Sequence, residues 1–315
     1  LVKRAFPADR QPSMYAYLSA GWVLPSLIAP LIAGTITDHI GWRWVFWLLL
    51  PLIPVVAYIT VRPMRAYTSS GVSVIRHSRI GAAILAAAGI GIFVTSLQFK
   101  HQIAAVGGAA AGLVIGLPSL RRLLPDGVHR ARRGLPAVVL CRIIATAAFL
   151  GADSFIPLAA DRIHGSSPTM QGFVIIGASL TWTCGQWFMS RHPDIDPRRA
   201  VRWGFATMAL GLAASVPVLA AGWPLWATFI TWGVGGFGMG LLFNPTTVTA
   251  MSHAQDGVEG LVSSQVNLAD AVGFSMMGGV GGAMVAISDR TSLPLAGVPA
   301  SPRHLPNTST GRPAP

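Results

Sequence analysis

Apolar residues in this chain arrive in long blocks, each closed by a few polar or arginine-rich positions. That spacing limits the folds open to the chain more than any other feature. A bilayer core about 30 Å thick takes ~20 apolar residues per crossing helix, whereas a soluble core draws on short periodic stretches. Nine blocks stand out, at roughly 14–37, 44–61, 80–98, 102–120, 135–160, 168–190, 200–221, 223–251 and 258–287. The expected fold class is therefore all-α, a polytopic bundle of membrane helices. Charged residues are 11% of the chain, where soluble domains carry about 25%. The least regular blocks are 44–61, which holds Pro51 and Pro54, and the short, Gly-rich 102–120.

A net charge of +12 suggests nucleic acid at first sight, but the arginines cluster between the blocks and form no basic helix or aromatic-studded face. Membrane proteins concentrate Lys and Arg in their cytoplasmic loops. With the N-terminal end inside, the inner segments hold 16 of these residues and the outer connections 3, which fixes the orientation. The odd number of spans puts residues 289–315 outside, and their Pro, Ser, Thr and Gly content predicts disorder. Cys141 and Cys184, the two cysteines, sit inside blocks and make neither a disulfide framework nor a thiolate metal site. The eight histidines, at 39, 77, 101, 129, 164, 192, 253 and 304, are mostly scattered singly. No metal, cofactor or catalytic residue is expected, and no nucleic-acid partner.

Within the blocks, residues that are costly or unusual in lipid mark function. Glycines at Gly236 and Gly240, Gly278 and Gly282, and Gly108, Gly112 and Gly116 each share a helical face, letting backbones approach closely. Such faces serve either static packing or the rocking of a transporter. Pro25 and Pro30 each remove a hydrogen bond inside the first span. Asp270 lies twelve residues into its span, ~18 Å deep at 1.5 Å per residue. An Asp there costs about 2.5–3.5 kcal/mol on insertion. Ser263, Asn267, Asp270 and Phe274 share one face, so Asn267 is placed to hydrogen-bond the carboxyl. Asp270 is expected either to bind a proton or cationic substrate, or to be tied to a neighbouring helix. Asp153, ~27 Å along its helix, is expected near the outer headgroups. Arg142, ~10 Å in, is expected to snorkel to the inner interface.

The residues Pro30-Leu31-Ile32-Ala33-Gly34 followed by Gly41-Trp42-Arg43-Trp44-Val45-Phe46 resemble the fifth helix and following loop of drug:proton antiporters in the major facilitator superfamily. The antiporter motif there reads G-P-x-x-G-G. Pro30 and Gly34 match it, Ala29 and Ala33 stand where it has glycines, and Pro25 occupies an earlier Gly position. Gly134-Leu135-Pro136, Phe149-Leu150-Gly151-Ala152-Asp153, Pro157-Leu158, Gly165-x-Ser167-Pro168 and Gly172 resemble the helix opening the second half of actinobacterial members. Gly185, Arg191 and Arg198-Arg199 resemble that half's cytoplasmic loop. The hairpin 80–120 lies between the halves, as in the fourteen-span branch.

The resemblance implies a partial major facilitator fold, with four spans before this chain and one after it. Residues 1–61 are then the end of the N-terminal half, 62–133 an inter-half segment carrying the extra hairpin, 134–288 the C-terminal half and 289–315 the tail. It implies proton-coupled efflux of drug-like molecules across a bacterial plasma membrane, with the lipid bilayer, a small-molecule substrate and protons as partners. A metabolite uptake or facilitated-diffusion carrier is the nearest alternative. A membrane-embedded enzyme and a non-functional gene fragment are others. His253 with Asp256 is the nearest approach to an enzyme site and reads better as a solvated loop. No G-x-x-x-x-G-K-[ST] loop is present to hold ATP.

Overall fold

In the computed structural model the described residues are 28–64, 77–99, 101–254 and 259–291. They form helices joined by short connections, with no strand among them. Residues 28–39 are helical (α1), and α2 follows as Arg43–Met64. The turn between them passes through Gly41 at φ 109°, a conformation that a Cβ would strain. Then come α3 (His77–Ser96), α4 (Gln102–Leu123), α5 (Leu135–His164), α6 (Pro168–Arg191), α7 (Pro197–Ser215), α8 (Leu225–Ser252) and α9 (Glu259–Thr291). The expected span 14–37, with Pro25, and the tail from residue 292 lie mostly or wholly outside the described residues.

Seven of these helices are long and apolar enough to cross a membrane. Of the nine expected spans, the one matching α6 is long enough at 24 residues but carries Thr169, Gln171, Thr181, Thr183 and Gln186, so its mean hydropathy falls short. The two prolines at 51 and 54 do not break α2, which runs unbroken for 22 residues; each proline forfeits a backbone donor without ending the helix. None of the described side chains of α2 is buried. Trp44, Phe46, Trp47 and Tyr58 are all more than half exposed, so its apolar surface faces outward all round.

The bundle's centre is α8, with α6 and α7 packed against it on stretches of glycine. A Cβ on Gly236 would come within 2.7 Å of the Ala178 backbone, and one on Gly240 within 2.8 Å of Gly185 Cα. On the α7 side, Gly238 lies against Met208 and Gly204, and Gly211 against Gly235. Glycine costs a helix about 1 kcal/mol relative to alanine in water. Here the missing side chains let three helices approach at backbone distance, and dispersion and packing recover the cost. Phe149, Ile156, Val174, Met208, Trp232, Met239 and Leu242 fill the core that results.

Helix α5 packs against α9, where Gly273 lies against Thr146 and the carbonyl of Ile143. Helices α3 and α4 form a separate hairpin closed at Gly89, Gly112 and Gly116, with Gly108 against Ser96. The hairpin reaches the main bundle through α9, where Gly279 lies against Val94. Gly278 and Gly282 are different. A Cβ on Gly278 would meet nothing within 4 Å, and one on Gly282 only the Gln98 amide at 3.9 Å. Their shared face is not a close backbone crossing, because α9 presents the neighbouring glycines, 273, 279 and 281, to its partners instead.

Candidate functional site

Three helices bring charge together inside the bundle. Arg142 projects from α5 and Asp270 from α9, 128 residues apart in sequence. The guanidinium forks onto the carboxylate: Nε donates to Oδ1 at 2.9 Å, and Nη2 donates to Oδ2. Its remaining nitrogen, Nη1, reaches α8, donating to the Phe243 carbonyl at 3.2 Å and to Thr247 Oγ1 at 3.4 Å. The Arg142 Cζ lies 3.4 Å from the Phe243 ring centroid, a cation–π contact strengthened by desolvation. The planar fork of arginine suits this two-point recognition in a way lysine does not.

Local sequence explains why these groups converge. Phe243 and Thr247 stand one turn apart and so share a face of α8. Pro245 between them removes one backbone donor from the helix. Thr146, one turn beyond Arg142, donates to the Arg142 carbonyl at 2.7 Å, and the absent side chain of Gly273 makes room for it. The pair is asymmetric: the side chain of Arg142 is 2% exposed and that of Asp270 23%. Asp270 thus keeps a path to its surroundings while Arg142 is sealed in. Ser263, Asn267 and Phe274, on the same face of α9, are exposed.

Three expectations change here. Arg142 turns into the bundle rather than snorkelling to the inner interface, because the Asp270 carboxylate and the Phe243 carbonyl take up its charge there. Asn267 does not bond Asp270; its amide donates to the Ser263 carbonyl at 3.0 Å. Asp153 turns inward, into the bundle. It accepts from Trp232 Nε1 at 2.8 Å, and Trp232 is fully buried, stacked on Phe149 at 4.9 Å between ring centroids. Helix α5 continues to His164, eleven residues past Asp153, or ~16 Å. Replacing Trp232 with Phe keeps that stacking but leaves the carboxylate without its donor. The expected cost is about 1–3 kcal/mol, read as a lower unfolding midpoint in detergent, with Asp153→Asn restoring part of it.

The remaining candidates are dispersed. Pro30 and Gly34 lie on α1 against the start of α6: a Cβ on Gly34 would come within 2.6 Å of the Pro168 carbonyl, and one on Gly172 within 2.5 Å of the Pro30 carbonyl. Gly185 is inside α6, packed against α8, rather than in a loop. Arg191 stacks on Trp187 at 4.0 Å, and the backbone N–H of Arg198 donates to Asp196 at 2.7 Å, capping α7. Among the described residues no group of three or more His, Cys, Asp or Glu is placed to hold a metal. Sequence reasoning missed Phe243 and Thr247. The available signal was the polar run Asn244-Pro245-Thr246-Thr247 beside Phe243, around a proline inside an apolar block.

The family model of the Major Facilitator Superfamily matches residues 1–278. An uncharacterized MFS-type transporter of Mycobacterium tuberculosis is 25% identical over 296 residues, 86% of this chain and 48% of the relative. The MFS-type transporter ppz2 of Metarhizium majus is 22% identical over 283 residues, covering 83% of this chain and 48% of that one. Over a shorter stretch of 51 residues, 16% of this chain and 9% of the relative, the efflux pump bfoC of Aspergillus brasiliensis is 35% identical. The chain spans about half the length of the first two of these curated relatives.

Proposed function

The chain belongs to the Major Facilitator Superfamily, and on that premise we propose that it works, as part of a longer protein, as a proton-coupled exporter of small amphiphilic molecules in a bacterial plasma membrane. The division proposed is that of the fourteen-span antiporter branch: residues 1–61 end the N-terminal half, 62–133 carry the extra hairpin, 134–288 form most of the C-terminal half and 289–315 are a tail whose first three residues complete α9.

The Arg142–Asp270 pair is the observation that carries this reading. An ionised pair placed inside a membrane bundle is expensive, and simple stability does not require one, since apolar residues of equal volume serve as well. The half-open Asp270 can take a proton or meet a cationic substrate. When it does, Arg142 loses its counter-charge and rests on the Phe243 carbonyl and Thr247 alone. The site then has two charge states whose relative stability depends on what Asp270 holds, which is the differential interaction that coupling requires. Asn267, Ser263 and Phe274 offer polar and aromatic surface beside it. Asp153, hydrogen-bonded to Trp232, is the second carboxylate of the pathway. The efflux-pump name of one relative agrees with the outward direction.

The test uses the full-length protein in everted membrane vesicles with ethidium as substrate. An imposed acid-inside gradient should drive uptake into the vesicles, and Asp270→Asn should lower that gradient-driven flux at least ~10-fold, as expected for losing a group that binds the coupling ion. Flux that ignores both the gradient and the substitution would overturn the proposal.

A further inference from the structure

A carboxylate at the outer end of α1 holds the start of another helix. Asp38 accepts from the backbone N–H of Thr169 at 3.0 Å and from the Thr169 hydroxyl. Thr169 is in the first turn of α6, where backbone donors have no partner within the helix and the helix dipole favours negative charge. The side chain of Ser167 takes the Met170 N–H at 3.3 Å, so α6 is capped from two sources: one local, and one from a helix more than 100 residues earlier. Along α1 the contacts recur each turn. Pro30 meets Gly172, Gly34 meets Pro168 and Thr169, and Asp38 binds Thr169. The first two points are smooth backbone crossings, while the third is a directed, charge-assisted bond.

What α1 grips is held as one body. Arg162, near the outer end of α5, donates to both carboxylate oxygens of Asp289 on α9 at 2.8 and 3.1 Å. His164 Nε2 donates to the Val218 carbonyl after α7 at 2.8 Å. Gln171 ties α6 to the turn before it through the Ser166 carbonyl at 3.0 Å. The outer ends of α5, α6, α7 and α9 are therefore tied to one another. Between α1 with α2 and this block lies an open cleft of about 390 Å³ lined by Thr37, Trp42, Phe46, Pro157, Gln171 and Ile175.

We propose that Asp38 and Thr169 form an outer latch, closed when α1 lies on α6 and released when the two separate on the outer side. Resting on the transport reading above, this makes the latch a determinant of how often the path opens outward. The glycine crossings below it present no side chains that must unlock, so they allow a hinge, and the Asp38 bonds set the closed population.

The test places spin labels at Ile40→Cys and Trp226→Cys, two exposed positions at outer helix ends, in full-length protein carrying Cys141→Ser and Cys184→Ser. Distance distributions in lipid nanodiscs should contain a short and a long population. Asp38→Ala should enlarge the long one about three- to tenfold, as expected for losing one charge-assisted bond at an exposed site. Thr169→Val, which keeps the N–H, should enlarge it less. Distributions that superimpose on the parent in both variants would overturn the latch. Should the distances shift while the vesicles move no substrate, the latch stands and the transport reading falls. If substrate moves and the distances ignore both variants, the latch alone is lost.

Discussion

Asp270→Ala should lower the stability of the bundle by about 3 kcal/mol, the low end of the cost of orphaning a buried charge. The low end applies because Asp270 itself keeps 23% exposure. The charge left behind is the difficult one: the Arg142 side chain is 2% exposed, and among the described residues its fork has no second carboxylate partner. Removing both charges together, as Arg142→Leu with Asp270→Leu, should cost far less than the sum of the single changes, since no uncompensated ion remains. A double-mutant cycle on detergent unfolding midpoints measures that coupling, and single effects that simply add would show that the two groups stabilise the fold independently. Transport separates the roles further. The double variant should be well folded and inactive, whereas a purely structural pair would leave its flux intact.

A comparable loss is expected where α6 meets α8. Gly236→Ala puts a Cβ against the Ala178 backbone, with Cα and C at 2.7 Å, and Gly240→Ala puts one 2.8 Å from Gly185 Cα. Backbone atoms cannot rotate away as a side-chain tip does, so the helices must separate. Overpacking of this kind costs about 1–3 kcal/mol at each site; combined, the two should lower the melting point more than either alone. Gly278→Ala is the control, since nothing lies within 4 Å of its new methyl, and it should be neutral or slightly stabilising. Intrinsic tryptophan fluorescence on heating reads all three, because Trp182 and Trp232 line this part of the core.

The contrast between those glycine pairs shows what sequence carries and where it stops. Gly236/Gly240 and Gly278/Gly282 have identical spacing, and spacing states only that two residues share a face. Which face a neighbour covers depends on how helices cross. Block length was legible because hydropathy is set residue by residue, which is why the ends of α5, α6 and α8 fall close to the expected spans. Asp270 and Arg142 were legible singly, since each is an ion in a lipid-length block. Their pairing was not, because 128 intervening residues and the relative height of α5 and α9 decide it. Asp153 was set near the headgroups by a count of ~27 Å from Leu135, with the span taken to end at residue 160. Gly165, at φ 58° and returning its N–H to Asp161 at 2.9 Å, is the stop signal, five residues further on. What encloses Asp153 is Trp232, 79 residues away, which a count along one helix does not reach.

One consequence concerns α2, none of whose described side chains is buried. Membrane helices form in two stages, first inserting singly and then associating. For α2 the described contacts supply only the first stage. Its helicity rests on the bilayer, where an unpaired backbone is forbidden, and owes nothing to the glycine crossings around α8. In a melting experiment on this chain the ellipticity of α2 should therefore persist after the tertiary signal from Trp182 and Trp232 has gone. The loss of helix and the loss of packing would then be separate events, and a single midpoint would describe the α5–α9 assembly rather than the whole polypeptide.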